Sequence, residues 1–291
     1  MKKATVLGLV VVFTLVMGLV ALAAEGAHWG YDGEEGPAHW GELSPDYAAC
    51  SEGMEQSPVD IPAAATLNPA DIVFNYQPTA VNIVNNGHSI MVSADEGSSI
   101  QIHGKTYNLL QFHYHALSEH TVGGSYYDME GHFVHQSADG QYAVVGVLMT
   151  RGAENAAYAP VWENLPAEEG ELETIEGASV DPAALLPADQ TYWHYHGSFT
   201  TPPCTEGVMW FVLNNAVELS DAQIGVFEAI YDHNYRPTLS MNARTFLIAA
   251  DEEPETIPET GGAGLPLEGL LLGVGSLTAA AGVYLQRRKA A

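Results

Sequence analysis

The chain reads as a mainly β protein of the α+β class, a single domain around a large, twisted, mostly antiparallel sheet with a few short surface helices. Three observations predict this. Between residues 71 and 214 the sequence falls into short runs rich in Val, Ile and aromatic residues, which favour pleated, half-buried backbone. Gly, Asn, Asp and Pro punctuate those runs, and these are the residues of tight turns. The clearest helical period is confined to one stretch, so one domain with terminal appendages accounts for 291 residues.

The elements follow in order. Met1, Lys2 and Lys3 precede an apolar run from about Val6 to Leu22 and small residues at Ala21, Ala23 and Ala24, the layout of a secretory signal over residues 1–24. A retained membrane anchor is the alternative, although the run is short for a span. The globular domain is expected over residues 25–249. Its strands begin with "DIVFNY" (71–76), "AVNIVNN" (80–86), "SIMVSA" (89–94) and "SSIQIHG" (98–104). Residues 127–149, "YDMEGHFVHQSADGQYAVVGVLM", read as two strands joined by a turn at "SADG", and "VMWFVLN" (208–214) reads as another. The helix is "SDAQIGVFEAIYDHN" (220–234), with Ser220 as N-cap and Ile224, Phe227, Ile230 and Tyr231 at helical spacing.

A Pro, Glu and Gly-rich linker, residues 250–263, follows the domain and contains "IPETGG" (257–262). Residues 264–291 form an expected anchor: the chain is nearly all apolar or small from Gly269 to Leu285, and Arg287, Arg288 and Lys289 hold the end in the cytoplasm. The arrangement resembles a bacterial cell-wall sorting signal, with Ile257 where the motif usually has Leu. That resemblance implies cleavage after Thr260 by a sortase and attachment to peptidoglycan; a permanent membrane tail is the alternative. Either way the domain is exported and held at the cell surface.

Charge and cysteine usage agree with export. The net charge is −27, and between residues 25 and 260 four basic residues, Lys105, Arg151, Arg236 and Arg244, face 35 acidic ones. Nucleic acid and anionic lipid are poor partners for such a surface. Cys50 and Cys204 are the two cysteines, an even pair that suits one disulfide in an exported chain, with free or catalytic thiols as the alternative. The bridge would close a loop of about 150 residues, which chain-entropy models value at about 4 to 5 kcal/mol.

"QFHYHALSEH" (111–120) sets three of the twelve histidines in ten positions. On a strand, Gln111, His113 and His115 share one face. In the following strand pair Glu130 and His132 share a face while His135 takes the other. Three neutral imidazoles and an open fourth position make a catalytic zinc site. Gln111 and Glu130, each two residues before a candidate ligand, are placed to accept the other ring N–H. By spacing alone, structural core histidines or a surface cluster would fit the same pattern.

Six motifs widen the case: "HWGYDGEEGPAHW" (28–40), "QSPVDI" (56–61), "NNGHS" (85–89), "QFHYHALSEH", "MEGHFVH" (129–135) and "GSFTTPPCTEGVMW" (197–210). In this order they resemble the α-class carbonic anhydrases, and the likeness covers nearly all of residues 28–248. It implies zinc-dependent, reversible hydration of carbon dioxide to bicarbonate and a proton, by attack of zinc-bound hydroxide. His113, His115 and His132 would hold Zn2+, supported by Gln111, Glu130 and His120, with Tyr195 behind the site. Thr200 would accept from the hydroxide and donate to Glu119, and its backbone N–H would meet bicarbonate or an inhibitory anion. Thr201 would sit at the substrate edge. Val134, Val144, Phe199, Val208 and Trp210 would form the apolar wall for carbon dioxide. His88 would be the proton shuttle, an imidazole of pKa near 6.5, with Tyr31 and Asn86 along its water chain. The resemblance also implies sulfonamide-type inhibitors and the Cys50–Cys204 disulfide.

His196 and Met91 depart from residues common in relatives. His103, His135, His194, His196 and His233 are expected outside the metal centre. Two other readings use the same residues: an esterase acting through the same zinc hydroxide, and a non-catalytic surface binding domain. The second would be expected to have lost a ligand or the threonine, and neither is missing.

Overall fold

Alternation of β-branched and aromatic residues with small polar ones gives thirteen strands among the described residues, which are 27–247 of the computed structural model. They are β1 (Asp60–Ile61), β2 (Val73–Asn75), β3 (Thr79–Asn85), β4 (Ile90–Ser93), β5 (Ser99–Ile102), β6 (Lys105–His115) and β7 (Thr121–Val122). The rest are β8 (Ser125–Tyr126), β9 (Met129–Ser137), β10 (Tyr142–Arg151), β11 (Glu173–Val180), β12 (Tyr192–Ser198) and β13 (Glu206–Leu219). The expected signal (1–24), the linker with its sorting-like motif (250–263) and the anchor (264–291) lie outside the described residues. No helix among the described residues is long and apolar enough to cross a membrane.

Ten strands form one sheet with the path β11-β3-β4-β6-β9-β10-β13-β12, and β5 carries β2 alongside β6. Every pairing in it is antiparallel except β10 with β13, which is parallel. The sequence predicts the antiparallel majority but not this one pair. β1, β7 and β8 form a separate small sheet. The central strands are buried on both faces, and the period of two sorts their side chains. On β9, Met129 and Phe133 enter the large core with Phe112, Val145 and Phe211. Val134, from the opposite face, joins a smaller cluster with Val144, Tyr195, Val208 and Trp210. The histidines stand on this second face.

Two elements are shorter than the sequence suggests. β2 keeps only Val73–Asn75 of the expected 71–76, and the helix ends at Glu228 rather than running to Asn234. Its start is as expected: Ser220 Oγ accepts from Gln223 N–H and Gln223 Oε1 accepts from Ser220 N–H, a capping box. Ile230 and Tyr231 still pack on the main core, but the last turn tightens as Ile230 N–H reaches Phe227 C=O. The chain then leaves the helix because Asn234 and Arg236 are bonded beneath the histidines.

Cys50 and Cys204 are joined, with 5.0 Å between their Cα atoms and a sequence separation of 154. Trp40 and Tyr47 pack around the bridge.

Candidate metal centre

β6 and β9 run side by side with His113 opposite His132 and His115 opposite Glu130. His113 and His115, two residues apart, therefore point to the same side as His132. Their ring centroids lie 5.0, 5.2 and 4.6 Å apart, and one nitrogen from each falls within 4.8 Å of the others. The remaining nitrogens are committed. His113 Nδ1–H donates to Gln111 Oε1 (2.8 Å), His132 Nε2–H to Glu130 Oε1 (3.0 Å) and His115 Nδ1–H to the Asn234 carbonyl (2.5 Å). His113 Nε2, His115 Nε2 and His132 Nδ1 are thus turned to one another as lone-pair donors, and His115 Nε2 is buried with no hydrogen-bond partner.

Burial lowers the pKa of all three rings, that of His115 to about 4, so they are neutral at pH 7. Three neutral imidazoles with an orphaned buried nitrogen fit a borderline divalent ion such as zinc, which takes nitrogen donors and leaves a fourth position open.

Glu130 organises what lies behind. Its Oε2 accepts from the Glu119 and His120 amides (2.9 and 2.8 Å), and its Oε1 accepts from His120 Nδ1–H (2.8 Å) besides His132. Burial alone would raise its pKa, but the His120 and His132 rings outweigh that and hold it well below the usual carboxylate range. His120, Glu130 and His132 also form a compact set of possible ligands, yet its facing atoms are engaged with one another. His120 Nε2 is hydrogen-bonded to the Tyr195 hydroxyl (2.7 Å), which donates to Ser57 Oγ (2.8 Å).

Glu119 differs from Glu130. Burial raises its pKa to about 7, against the opposing effects of His132, the Thr200 hydroxyl and the Arg236 amide, which donates to Oε1 at 2.7 Å. No hydrogen bond of full geometry closes on its Oε2.

A cavity of about 90 Å³ opens in front of the rings, lined by Gln111, His113, His132, Val134, Val144, Phe199, Thr200, Thr201 and Trp210. Four apolar side chains thus face the polar residues across a space that suits a small molecule. Val208, expected on this wall, does not line it; on β13 it sits opposite Tyr142 and packs within the same apolar cluster.

His88 stands on the turn between β3 and β4, where Gly87 takes φ +83°. Asn86, expected along a water chain, uses its Oδ1 to accept from the His88 and Ser89 amides (3.0 and 2.8 Å) and so shapes the turn. The His88 ring stacks on Trp29 with centroids 3.6 Å apart. Burial, and next the nearby His28, lower its pKa to about 4 rather than the expected 6.5. His88 Nδ1 and Tyr31 Oη are both buried without a hydrogen-bond partner. Met91 pairs opposite His113. His135 bonds Tyr76 and the Ala143 carbonyl, and His194 bonds the Trp210 carbonyl, which makes both structural.

Sequence reasoning missed Asn234, Arg236 and Ser57. Ser57 lies inside the quoted "QSPVDI". Asn234 was expected as the last residue of the helix and Arg236 lies just beyond it, and nothing local links Asn234 to a ring 119 positions away.

Comparison with known proteins gives the following. Residues 35–249 match the eukaryotic-type carbonic anhydrase family. A carbonic anhydrase of Nostoc sp. is 41% identical over 231 residues, covering 78% of this chain and 88% of that protein. One from Pectobacterium carotovorum is 39% identical over 228 residues, covering 78% and 93%. The structure of the α-carbonic anhydrase from Thermovibrio ammonificans in complex with the inhibitor sulfanilamide superimposes with a TM-score of 0.73 at 43% identity, over 76% of this chain and 99% of that one.

Proposed function

The chain belongs to the eukaryotic-type carbonic anhydrase family, and from that premise we propose that it hydrates carbon dioxide reversibly to bicarbonate and a proton, with Zn2+ held by His113, His115 and His132 and with His88 as proton shuttle. The observation that carries this reading is the trio of neutral imidazoles, His115 and His132 buried and His113 half-buried, each with its second nitrogen engaged and its first turned inward beside an apolar-walled cavity. Zinc bound there supplies Lewis acidity, lowering the pKa of water from about 16 to about 7.

The protein's own residues do the rest. Val134, Val144, Phe199 and Trp210 offer dispersion contact to carbon dioxide, which is linear and apolar and needs no strong binding group. The Thr200 hydroxyl acts on the Glu119 carboxyl, lowering its pKa against the effect of burial; with its proton turned to that carboxylate, Thr200 Oγ1 would be left only to accept from whatever lies in the cavity. An attacking oxygen that gives its one proton to Thr200 turns a lone pair toward the carbon. The ligand rings cannot take the released proton, since their nitrogens are committed. His88 takes it once off the Trp29 stack, where an imidazole in water recovers a pKa near 6.5. Anions and sulfonamides of the sulfanilamide type are proposed to occupy the same cavity beside the Thr200 amide.

Stopped-flow assay of the zinc-loaded protein tests this: rapid hydration is expected, abolished in His115→Ala. A rate no higher than that of buffer from the zinc-loaded wild type would end the reading. His88→Ala is expected to slow turnover in weak buffer and to be restored in part by imidazole. We further propose that the domain is exported and anchored at the cell surface through its C-terminus. Mass spectrometry of the mature chain separates the two routes, since a chain ending at Thr260 with a wall fragment attached means sorting and an intact end means a membrane tail.

A further inference from the structure

β4 begins at Ile90 and its pairing with β6 reaches only as far as Met91 opposite His113. The next residues of β6, Tyr114 and His115, are thus without a strand on that side, although β9 still flanks them on the other. Asn234 fills the place. It is fully buried. Its Oδ1 accepts from Ala116 N–H (2.9 Å), its Nδ2 donates to Tyr114 C=O (2.9 Å), and its own amide donates to Ala116 C=O (3.2 Å). Its carbonyl receives His115 Nδ1–H. The second Nδ2 hydrogen goes to the His88 carbonyl at 3.2 Å. One carboxamide therefore replaces a missing length of strand and joins it to the turn that carries His88.

We propose that Asn234 is a positioning residue for proton transfer: its amide fixes where the His88 turn stands relative to His115, so that losing it slows proton release far more than it slows conversion of carbon dioxide. The clamp is placed for this because it binds the backbone of His88 itself, leaving the ring free to move while the residue stays at one depth. The proposal rests on His88 acting as the shuttle, and the experiment separates the two.

The experiment uses the zinc-loaded chain carrying Asn234→Ala, His88→Ala or both, with kcat measured in weak and strong buffer, kcat/KM, and amide exchange at His88 and Ser89. Asn234→Ser is a second variant should the alanine fold poorly, because a serine hydroxyl is too short to bridge both partners. Asn234→Ala is expected to lower kcat in weak buffer about tenfold, to regain it with imidazole, and to lower kcat/KM by much less than kcat, because the backbone carbonyl that receives His115 Nδ1–H is retained. It should add nothing in the His88→Ala background, the mark of two residues acting through one step, and amide exchange in the turn should accelerate. Equal falls in kcat and kcat/KM, full additivity with His88→Ala, or an unchanged kcat would each overturn it. Should His88→Ala alone leave weak-buffer turnover intact, the shuttle reading fails and the positioning role with it; accelerated exchange would then show the clamp to be structural only.

Discussion

Glu130 accepts four N–H groups on two oxygens, which a carboxylate can do and an amide cannot. Glu130→Gln turns a donor against at least one of them and is expected to weaken zinc binding by about 10- to 100-fold. Competition against a chromophoric chelator reads this directly, and an unchanged affinity would remove Glu130 as support for His132. His135 offers a second prediction, through pH. Burial lowers its pKa to about 3, while an exposed histidine titrates near 6.5. Between those values the unfolded chain binds the extra proton, so stability falls as pH is lowered, by about 2 kcal/mol at pH 5 from this residue. His135→Gln should show a smaller loss between pH 7 and pH 5 in denaturant unfolding than the parent, and an equal loss would place the acid sensitivity elsewhere. The support of His113 by Gln111 and of His132 by Glu130 is legible in sequence because each partner lies two residues from its ring on one strand face. Support of His115 was not legible, because it comes from a backbone carbonyl, an atom every residue has.

At the scale of elements, the site depends on the register of β6 against β9. A slip of one residue would send His132 to the opposite face, into the large core, and put Gly131 or Phe133 opposite His113 in its place. Burial on both faces prevents this, since Phe133 would then leave the core. The bridge between Cys50 and Cys204 fixes another long-range relation: the Cys50 carbonyl accepts from Arg236 and the Cys204 carbonyl from Gln56. Replacing both cysteines with serine is expected to cost about 2 to 5 kcal/mol, measured as a fall in the denaturant midpoint relative to the oxidised parent, a difference that disappears once the parent is reduced. A midpoint that stays put would mean that packing around Trp40 suffices. The strands themselves were legible from composition and turns, but the parallel pairing of β10 with β13 was not. Antiparallel neighbours can be read from a hairpin, whereas a parallel partner arrives from a distant part of the chain.

The whole molecule carries its charge unevenly. Arg236 is 2% exposed and donates to backbone carbonyls and Gln56, and Arg244 likewise binds carbonyls, so neither offsets a surface carboxylate through a salt bridge. Lys105 and Arg151 remain as surface ion-pair partners for a strongly acidic exterior. Self-repulsion should be eased by added salt, so the unfolding midpoint is expected to rise from low to moderate sodium chloride. A fall would show that the pairs on Lys105 and Arg151, which salt weakens, outweigh the repulsion. Acidity was visible in composition; the burial of Arg236 and the engagement of Arg244 with backbone carbonyls were not.

By itself the sequence determined the sheet-rich class, the face shared by His113 and His115, the capped start of the helix and the motifs that mark the family. These are local matters, set by a period of two, by a side chain and the residues three or four away, or by spacing along one strand. Tertiary structure alone decided which carbonyl orients His115, where the His88 turn stands, and that the His88 ring stacks on Trp29 with a lowered pKa. Each of those depends on segments far apart in the chain meeting in a dehydrated interior, where a single hydrogen bond or the loss of water acts on a group that its sequence neighbours do not touch.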